Sequence, residues 1–291
     1  HADLARRRAT EHGRGSVEYF DESIEAALLR RVTIEQELPG AIDRGELDLV
    51  YQPVIDLRRG QPIGVEALLR WRNGRLGPVD PADLLPAAET VGLAGPIGDW
   101  VIHRACRQLS LWLRDGRNLW MSVNVSTGQL RAPDFLQGVA SALDLHDVPP
   151  ERLMVEVAEL GMSDDSGNGV AGQLAALRTL GVRTAIDHFG TGRAALTNLR
   201  RLPIDAIKID RSLFAEPAAA GARAAPPILA VMVEMGRRLS IDVIATRLEQ
   251  AVHLDLALAA GCGSGQGFAL AMPAHAEHIE AYLEQHRAPL F

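Results

Sequence analysis

A closed α/β barrel of eight strand–helix units, a TIM-like (β/α)8 fold, is what this sequence predicts, on three observations. Eight short runs rich in β-branched residues, at 47–55, 63–68, 119–125, 153–157, 182–187, 206–210, 241–245 and 265–270, punctuate the chain. Amphipathic segments such as 100–113, 171–180 and 228–239, with apolar residues three and four apart, lie between most of them. Strand then helix, repeated about eight times in about 250 residues, implies a mostly parallel sheet closed on itself. The competing architecture is an open doubly wound sheet. Against it, no GxGxxG follows the first strand and no GxxxxGK(S/T) occurs anywhere.

The first 45 residues read differently from the rest. "ADLARRRATEHGRGSVEYF" is charged and turns into a short strand at 16–20, after which 21–45 is helical with an interruption at Pro39, whose ring does not fit a helix interior. Residues 1–45 are therefore expected to be a tail and linker, and 46–291 the barrel. Within the barrel, residues 215–227, "AEPAAAGARAAPP", form a low-complexity connector with no chemistry of its own.

Composition narrows the function classes. The 291 residues, 47% of them hydrophobic, can bury a substantial core. A net charge of -7, a pI near 5.7 and no basic run longer than Arg6-Arg7-Arg8 argue against a protein that holds DNA or RNA by its phosphates. With only 4% aromatic residues there is no extended base-stacking platform either. Cys106 and Cys262 lie far apart without CxxC spacing, so neither a disulfide framework nor a zinc cluster is signalled. No apolar run reaches the roughly 18 residues of a membrane span and no signal-peptide core opens the chain, which predicts a cytoplasmic domain, with a parent protein that is free to be membrane-tethered.

In a barrel of this kind, polar residues at strand C-termini face the active-site mouth. Here they are Glu66 in "VEALLRW", Asn124 in "MSVNVS", Glu156 and Glu159 in "MVEVAEL", Asp187 in "AIDHFG", Lys208 and Asp210 in "IKID", and Gln266 in "GQGF". A single acid at a strand end is commonly a helix N-cap; six strand ends in succession are poorly explained that way. Carboxylates and an amide oxygen gathered without cysteine are hard ligands, suited to Mg²⁺ or Mn²⁺. A hard cation in a barrel mouth suggests phosphate chemistry.

Over roughly residues 46–285 the chain resembles the EAL domain, the cyclic di-GMP phosphodiesterase family of bacteria. The resemblance is carried by "YQPVIDL", "EALLRW", "NVSTGQL", "VEVAE", "DHFGTG", "LPIDAIKID" and "GQGFALAMP", in the family's order. It implies hydrolysis of cyclic di-GMP to the linear dinucleotide with two divalent cations, Mg²⁺ or Mn²⁺, in the mouth. By motif, Glu66, Asn124, Glu156 and Asp187 would hold the first cation. Arg70 would grip a phosphate oxygen, a task suited to a planar guanidinium. Lys208 would stand near the attacking water, Glu159 would anchor the loop after "DHFGTG", and Glu249 would join the catalytic set. Gln52, Asp210 and Gln266 would line the substrate. The opening segment is similar to the end of a GGDEF domain, so a GGDEF domain of the same parent chain is an expected partner, and pairing of two copies through helices near the loop after the fifth barrel strand is a further expectation.

The chain departs from the family pattern at the second cation. Asp-Asp-Phe-Gly is replaced by Asp187-His188-Phe189-Gly190, and Ala-Glu-Gly-Val-Glu by Ala245-Thr246-Arg247-Leu248-Glu249. The two acids that complete the second cation's shell are thus His188 and Thr246. Imidazole binds transition ions but Mg²⁺ prefers oxygen, and a threonine hydroxyl is a feeble substitute for a carboxylate. Arg247, in place of glycine, adds positive charge whose direction the sequence leaves open, because neighbouring strand residues point to opposite faces. The loop also reads Arg193-Ala194-Ala195 where the family has Tyr-Ser-Ser. Three readings follow: an impaired EAL domain that binds cyclic di-GMP, an active phosphodiesterase, or an interaction module that ignores the nucleotide. His275, His278 and His286 near the C-terminus are expected to be solvated helix residues rather than a metal cluster.

Overall fold

Strand order fixes the architecture: β1 (Leu47–Asp56), β9 (Ser264–Gly265), β8 (Asp242–Ala245), β7 (Ala206–Ile209), β6 (Arg183–Phe189), β5 (Leu153–Ala158), β4 (Trp120–Asn124) and β2 (Gln61–Asn73) are neighbours in that sequence, and β1 also pairs with β2. The ring therefore closes as an eight-stranded barrel, with β3 (Gly77–Val79) appended to β2 as a hairpin. These are features of a computed structural model that describes residues 22–158, 169–190, 202–214 and 227–286. The expected strand at 16–20, Glu159, residues 193–195 and the connector up to 226 lie outside the described residues.

Two compact units divide the chain, His1–Asp48 with Arg70–Ala94, and Leu49–Leu69 with Gly95–Phe291. The smaller contains helix α1 (Glu22–Glu37), which stops two residues before Pro39, and α2 (Pro81–Thr90). The Asp80 side chain caps α2 by accepting from the Ala82 backbone N–H, with Pro81 at the first helical position, where its missing N–H costs nothing. Asn73 turns the chain into β3: its Oδ1 accepts from the N–H groups of Arg75 and Leu76 at 2.9 and 3.0 Å. The Glu46 carboxylate ties this unit together. It accepts from Arg44 at 2.9 and 3.0 Å, from Trp71 Nε1 at 2.9 Å and from Asn73 Nδ2 at 3.2 Å.

In the larger unit, β2-β4-β5-β6-β7-β8-β9 run parallel, as strand–helix alternation predicts, whereas β1 meets β9 antiparallel with Ile55 opposite Gly265. Helices α3 (Ala94–Arg114), α4 (Thr127–Leu130), α5 (Phe135–His146), α6 (Gly169–Leu180), α7 (Pro227–Leu239), α8 (Ala251–Ala260) and α9 (Ala276–Gln285) belong to it. α3 buries Ile97, Val101, Ile102, Ala105, Cys106, Leu109 and Trp112 along one stripe. Inside the barrel, Val54, Met154, Ala185, Ala206 and Ile244 form an apolar floor, joined by Ile63 and Trp120. A Cβ on Gly64 would lie 2.3 Å from the Trp120 ring, so only glycine lets that indole in.

The last expected strand is shorter than the sequence suggests. Of 265–270 only Gly265 is extended, and the chain then turns. Gly267 has φ 156°, and a Cβ there would sit 2.3 Å from the Leu248 backbone nitrogen. This close approach of two backbones curls the segment away from the sheet; the hydrogen bonds Leu248 N to Gln266 O and Ala269 N to Leu248 O hold it there.

Candidate functional site

The barrel's strand registers bring the predicted polar residues together. Asn124 at the end of β4 lies opposite Glu156 on β5, and Asp187 on β6 lies opposite Ala158. Just after Asn124, Ser126 and Gln129 form a reciprocal cap on α4: Ser126 Oγ accepts from Gln129 N at 3.2 Å and Gln129 Oε1 accepts from Ser126 N at 2.8 Å. That box fixes the turn from which the Asn124 amide projects.

Lys208 is the hub. Its side chain is 1% exposed, and its Nζ donates to Glu66 Oε2 at 2.6 Å and to Glu156 Oε2 at 2.7 Å. Glu66 also accepts from Asn124 Nδ2 at 2.6 Å and from Gln266 Nε2 at 2.8 Å, while Gln266 Nε2 reaches Gln52 Oε1 at 3.1 Å. Gln52 in turn donates to the Ala271 carbonyl at 3.0 Å. One network thus contains Gln52, Glu66, Asn124, Glu156, Lys208 and Gln266. The buried Oε1 atoms of Glu156 and Gln266 have no hydrogen-bond partner among the described residues, which leaves acceptors turned into the site.

Burial dominates the electrostatics. It pushes the Glu156 carboxyl up to about 8; Lys208 opposes the shift, and Glu66 and Asp187 add to it. For Lys208 burial would lower the pKa, but the carboxylates of Glu156, Glu66 and Asp187 outweigh it and raise it, so the ammonium keeps its proton. Burial would likewise raise Asp187; the hydrogen bond from His188 and the charge of Lys208 overcome it and hold the carboxyl at about 2.

Asp187 and His188 occupy a β-bulge. Ile186 pairs with Ile207 and Phe189 with Ile209, so β6 advances three residues while β7 advances two. His188 takes φ 56° there. Its Nδ1 and its backbone N–H each approach a carboxylate oxygen of Asp187 at 2.8 Å. The Asp187 hydrogen bond raises the imidazole pKa, against burial and the nearby Arg247. Gly190 follows at φ 98°, and a Cβ on it would lie 2.3 Å from Leu213 Cδ1.

Arg247, whose direction the sequence leaves open, points to this bulge. Its Nη2 lies 3.2 Å from His188 Nε2 and its Nη1 3.5 Å from Asp210 Oδ2. Thr246 points elsewhere, donating its hydroxyl to the Ile209 carbonyl at 3.0 Å. Asp210 caps the turn after β7 by accepting from Ser212 N at 2.9 Å. Glu249 stands apart from the Lys208 network and pairs with Arg211. Arg70 is a half-buried residue of the smaller unit. Among the described residues no three His, Cys, Asp or Glu side chains converge as a metal cage, the C-terminal histidines included; the Lys208 ammonium binds both Glu66 and Glu156. No described helix is long and apolar enough to cross a membrane.

What sequence reasoning misses is the company Arg247 keeps. The available signal is the family's glycine at that position: a left-handed backbone there turns the side chain off the alternation that a strand would impose.

Comparison with known proteins identifies the family and the fold. The profile described as "EAL domain" matches residues 35–273. The chain is 37% identical over 282 residues to the bifunctional diguanylate cyclase/cyclic di-GMP phosphodiesterase MucR of Pseudomonas aeruginosa, covering 96% of this chain and 41% of MucR. It is 35% identical over 267 residues to a second protein of that bacterium, named a cyclic di-GMP phosphodiesterase, covering 91% and 45% of the two chains. This chain therefore spans less than half the length of either relative. Among solved structures, the P. aeruginosa MucR phosphodiesterase in complex with c-di-GMP superposes with a TM-score of 0.77 at 36% identity, over 85% of this chain and 99% of that one.

Proposed function

The chain belongs to the EAL domain family, and from that premise we propose that it is a cyclic di-GMP-binding domain of bacterial signalling whose phosphodiester cleavage is impaired. The observation that carries this reading is the asymmetry of the mouth. Glu66, Asn124, Glu156, Asp187 and Lys208 are retained, while His188 and Thr246 stand where the family has its second pair of acids.

By donor type, although its carboxylates do not converge as a cage in this structure, the first cation seat suits its expected occupant. Glu66, Glu156 and Asp187 offer carboxylates, Asn124 an amide oxygen, and the partnerless Glu156 Oε1 is a buried acceptor of the hard type that Mg²⁺ or Mn²⁺ takes. An ion held there supplies positive charge against phosphoryl oxygens. The second seat does not fit, since Thr246 donates to a backbone carbonyl and His188 is tied to Asp187 and Arg247. Losing about 4 kcal/mol of transition-state stabilisation slows turnover about a thousandfold. Arg70, by its motif, is assigned to a phosphate oxygen, and Gln52 and Gln266 to the edge of the ligand. Residues 1–45 would join the domain to a preceding GGDEF domain of one parent protein, and two copies would pair through barrel helices.

Incubation of the protein with cyclic di-GMP and Mn²⁺, followed by chromatography of bound ligand and product, tests this. Bound, unconsumed nucleotide is the expected result. Multiple-turnover conversion to the linear dinucleotide would instead support the second reading, an active phosphodiesterase, which the intact Lys208 network favours. Absence of binding would leave only an interaction module.

A further inference from the structure

Two residues of the mouth, His188 and Arg247, adopt the left-handed backbone at φ 56° without being glycine. Such a conformation costs an L-residue about 1 kcal/mol or more, and strain of this kind clusters at functional sites. The two strained side chains meet one another. The guanidinium of Arg247 faces His188 Nε2 at 3.2 Å, and the opposite edge of that ring, Nδ1, faces Asp187 at 2.8 Å. A guanidinium only donates, so Nε2 accepts and Nδ1 carries the proton toward the carboxylate. The other arm of Arg247 faces Asp210 Oδ2 at 3.5 Å. Asp210 is 6% exposed, and this buried oxygen has no hydrogen-bond partner among the described residues. The Arg247 side chain itself is 56% exposed, so its fork is anchored at the base and open to solvent.

Resting on the binding reading above, we infer that Arg247, seated by His188 and Asp210, is a resident cation in place of the second divalent ion and takes a non-bridging phosphate oxygen of cyclic di-GMP. A guanidinium has five N–H donors in a planar fork that matches phosphate. The hydrogen bond to His188 uses one N–H of Nη2, while Nη1 meets Asp210 Oδ2 only as an ion pair at 3.5 Å, so the second N–H of Nη2 and those of Nη1 remain for the ligand. The charge is carried on the chain, so ligand capture at this phosphate needs no second metal. Conversely, a cation approaching the outer side of Asp187 meets a guanidinium–imidazole pair instead of carboxylates.

The test uses R247G, whose glycine fits φ 56° without strain, R247K, which keeps the charge but loses the fork, and the triple variant H188D/T246E/R247G. Titration with Mn²⁺ alone should give one site in the wild type and two in the triple variant; two sites in the wild type would overturn the inference whatever the nucleotide does. With cyclic di-GMP as the probe in excess EDTA, R247G should bind about tenfold to a hundredfold more weakly than the wild type, with R247K between them. Equal affinities of R247G and wild type in EDTA would overturn the inference while leaving the binding reading intact. If the wild type fails to bind cyclic di-GMP with or without Mn²⁺, the binding reading falls, and the phosphate role of Arg247 falls with it.

Discussion

Replacing Lys208 by methionine keeps the length of the side chain and removes the charge that two buried carboxylates share. In the wild type Nζ stands 2.6 Å from Glu66 and 2.7 Å from Glu156, with the lysine side chain 1% exposed. Removing one partner of a buried ion pair costs about 3–5 kcal/mol, because the other charge stays behind without compensation. For a domain of this size that corresponds to a fall of about 6–20 °C in Tm. The pH dependence has a definite sign. A carboxyl whose folded pKa is raised carries a penalty that is absent below its unfolded value and grows until pH reaches the folded one. For Glu156 in the wild type that growth ends at about 8. Without the ammonium the Glu156 pKa rises further, so in K208M the penalty goes on growing in more alkaline solution. The K208M deficit should therefore be larger at pH 9 than at pH 6, as read by thermal and guanidinium denaturation, with both values of roughly that size chosen to bracket the wild-type limit. The double variant K208M/E156Q should recover part of it at the alkaline end, where the cost of the buried Glu156 carboxyl is gone. A deficit below about 1 kcal/mol, or one that does not change with pH, would refute the view that Lys208 is the counter-ion of the barrel interior.

Two further outcomes are expected. Glu46, held at about 2 by Arg44 first and then by Trp71 and Asn73 against the effect of burial, stabilises its unit above the ordinary glutamate value of 4.5, and that contribution is lost as pH falls toward 2; acid titration of E46Q, followed by tryptophan fluorescence, should show a shallower decline over that window than the wild type. Gly267→Ala should cost about 3 kcal/mol by urea denaturation, because the new Cβ would lie 2.3 Å from Leu248 N, and it should also weaken cyclic di-GMP binding by displacing the neighbouring Gln266.

Much of this molecule is legible in its residues, and the parts that are not have physical reasons. Runs such as Leu153–Ala158 read as strands because both faces are buried and the side chains are β-branched or apolar. The direction of β1 is not readable, since a strand's side chains alternate in the same way whichever way its neighbour runs. The extent of β9 is overestimated because "GQGFAL" is apolar enough for a strand while the contact of Gly267 with the Leu248 backbone is tertiary. Only Asn73-Gly74 signals the β3 hairpin. In the site, Glu66, Asn124, Glu156 and Lys208 are legible because each belongs to a barrel strand, and strand ends converge at the mouth. Glu249 falls within a familiar motif yet pairs with Arg211; a motif conveys identity, not orientation. The bulge at Asp187-His188 requires a pairing partner before it exists at all, which places it beyond any reading of one strand alone.

The left-handed backbone at positions 188 and 247 bears on how this mouth could be rebuilt. Aspartate, like histidine, is among the residues that tolerate that conformation, and glycine accepts it far more readily than arginine. Reinstating the family's residues would leave the main chain no worse off at the first place and would relax it at the second. Backbone conformation at these two positions is therefore no obstacle to recreating a two-acid mouth on this scaffold; the demand falls on position 246, where the buried Thr246 spends its hydroxyl on the Ile209 carbonyl.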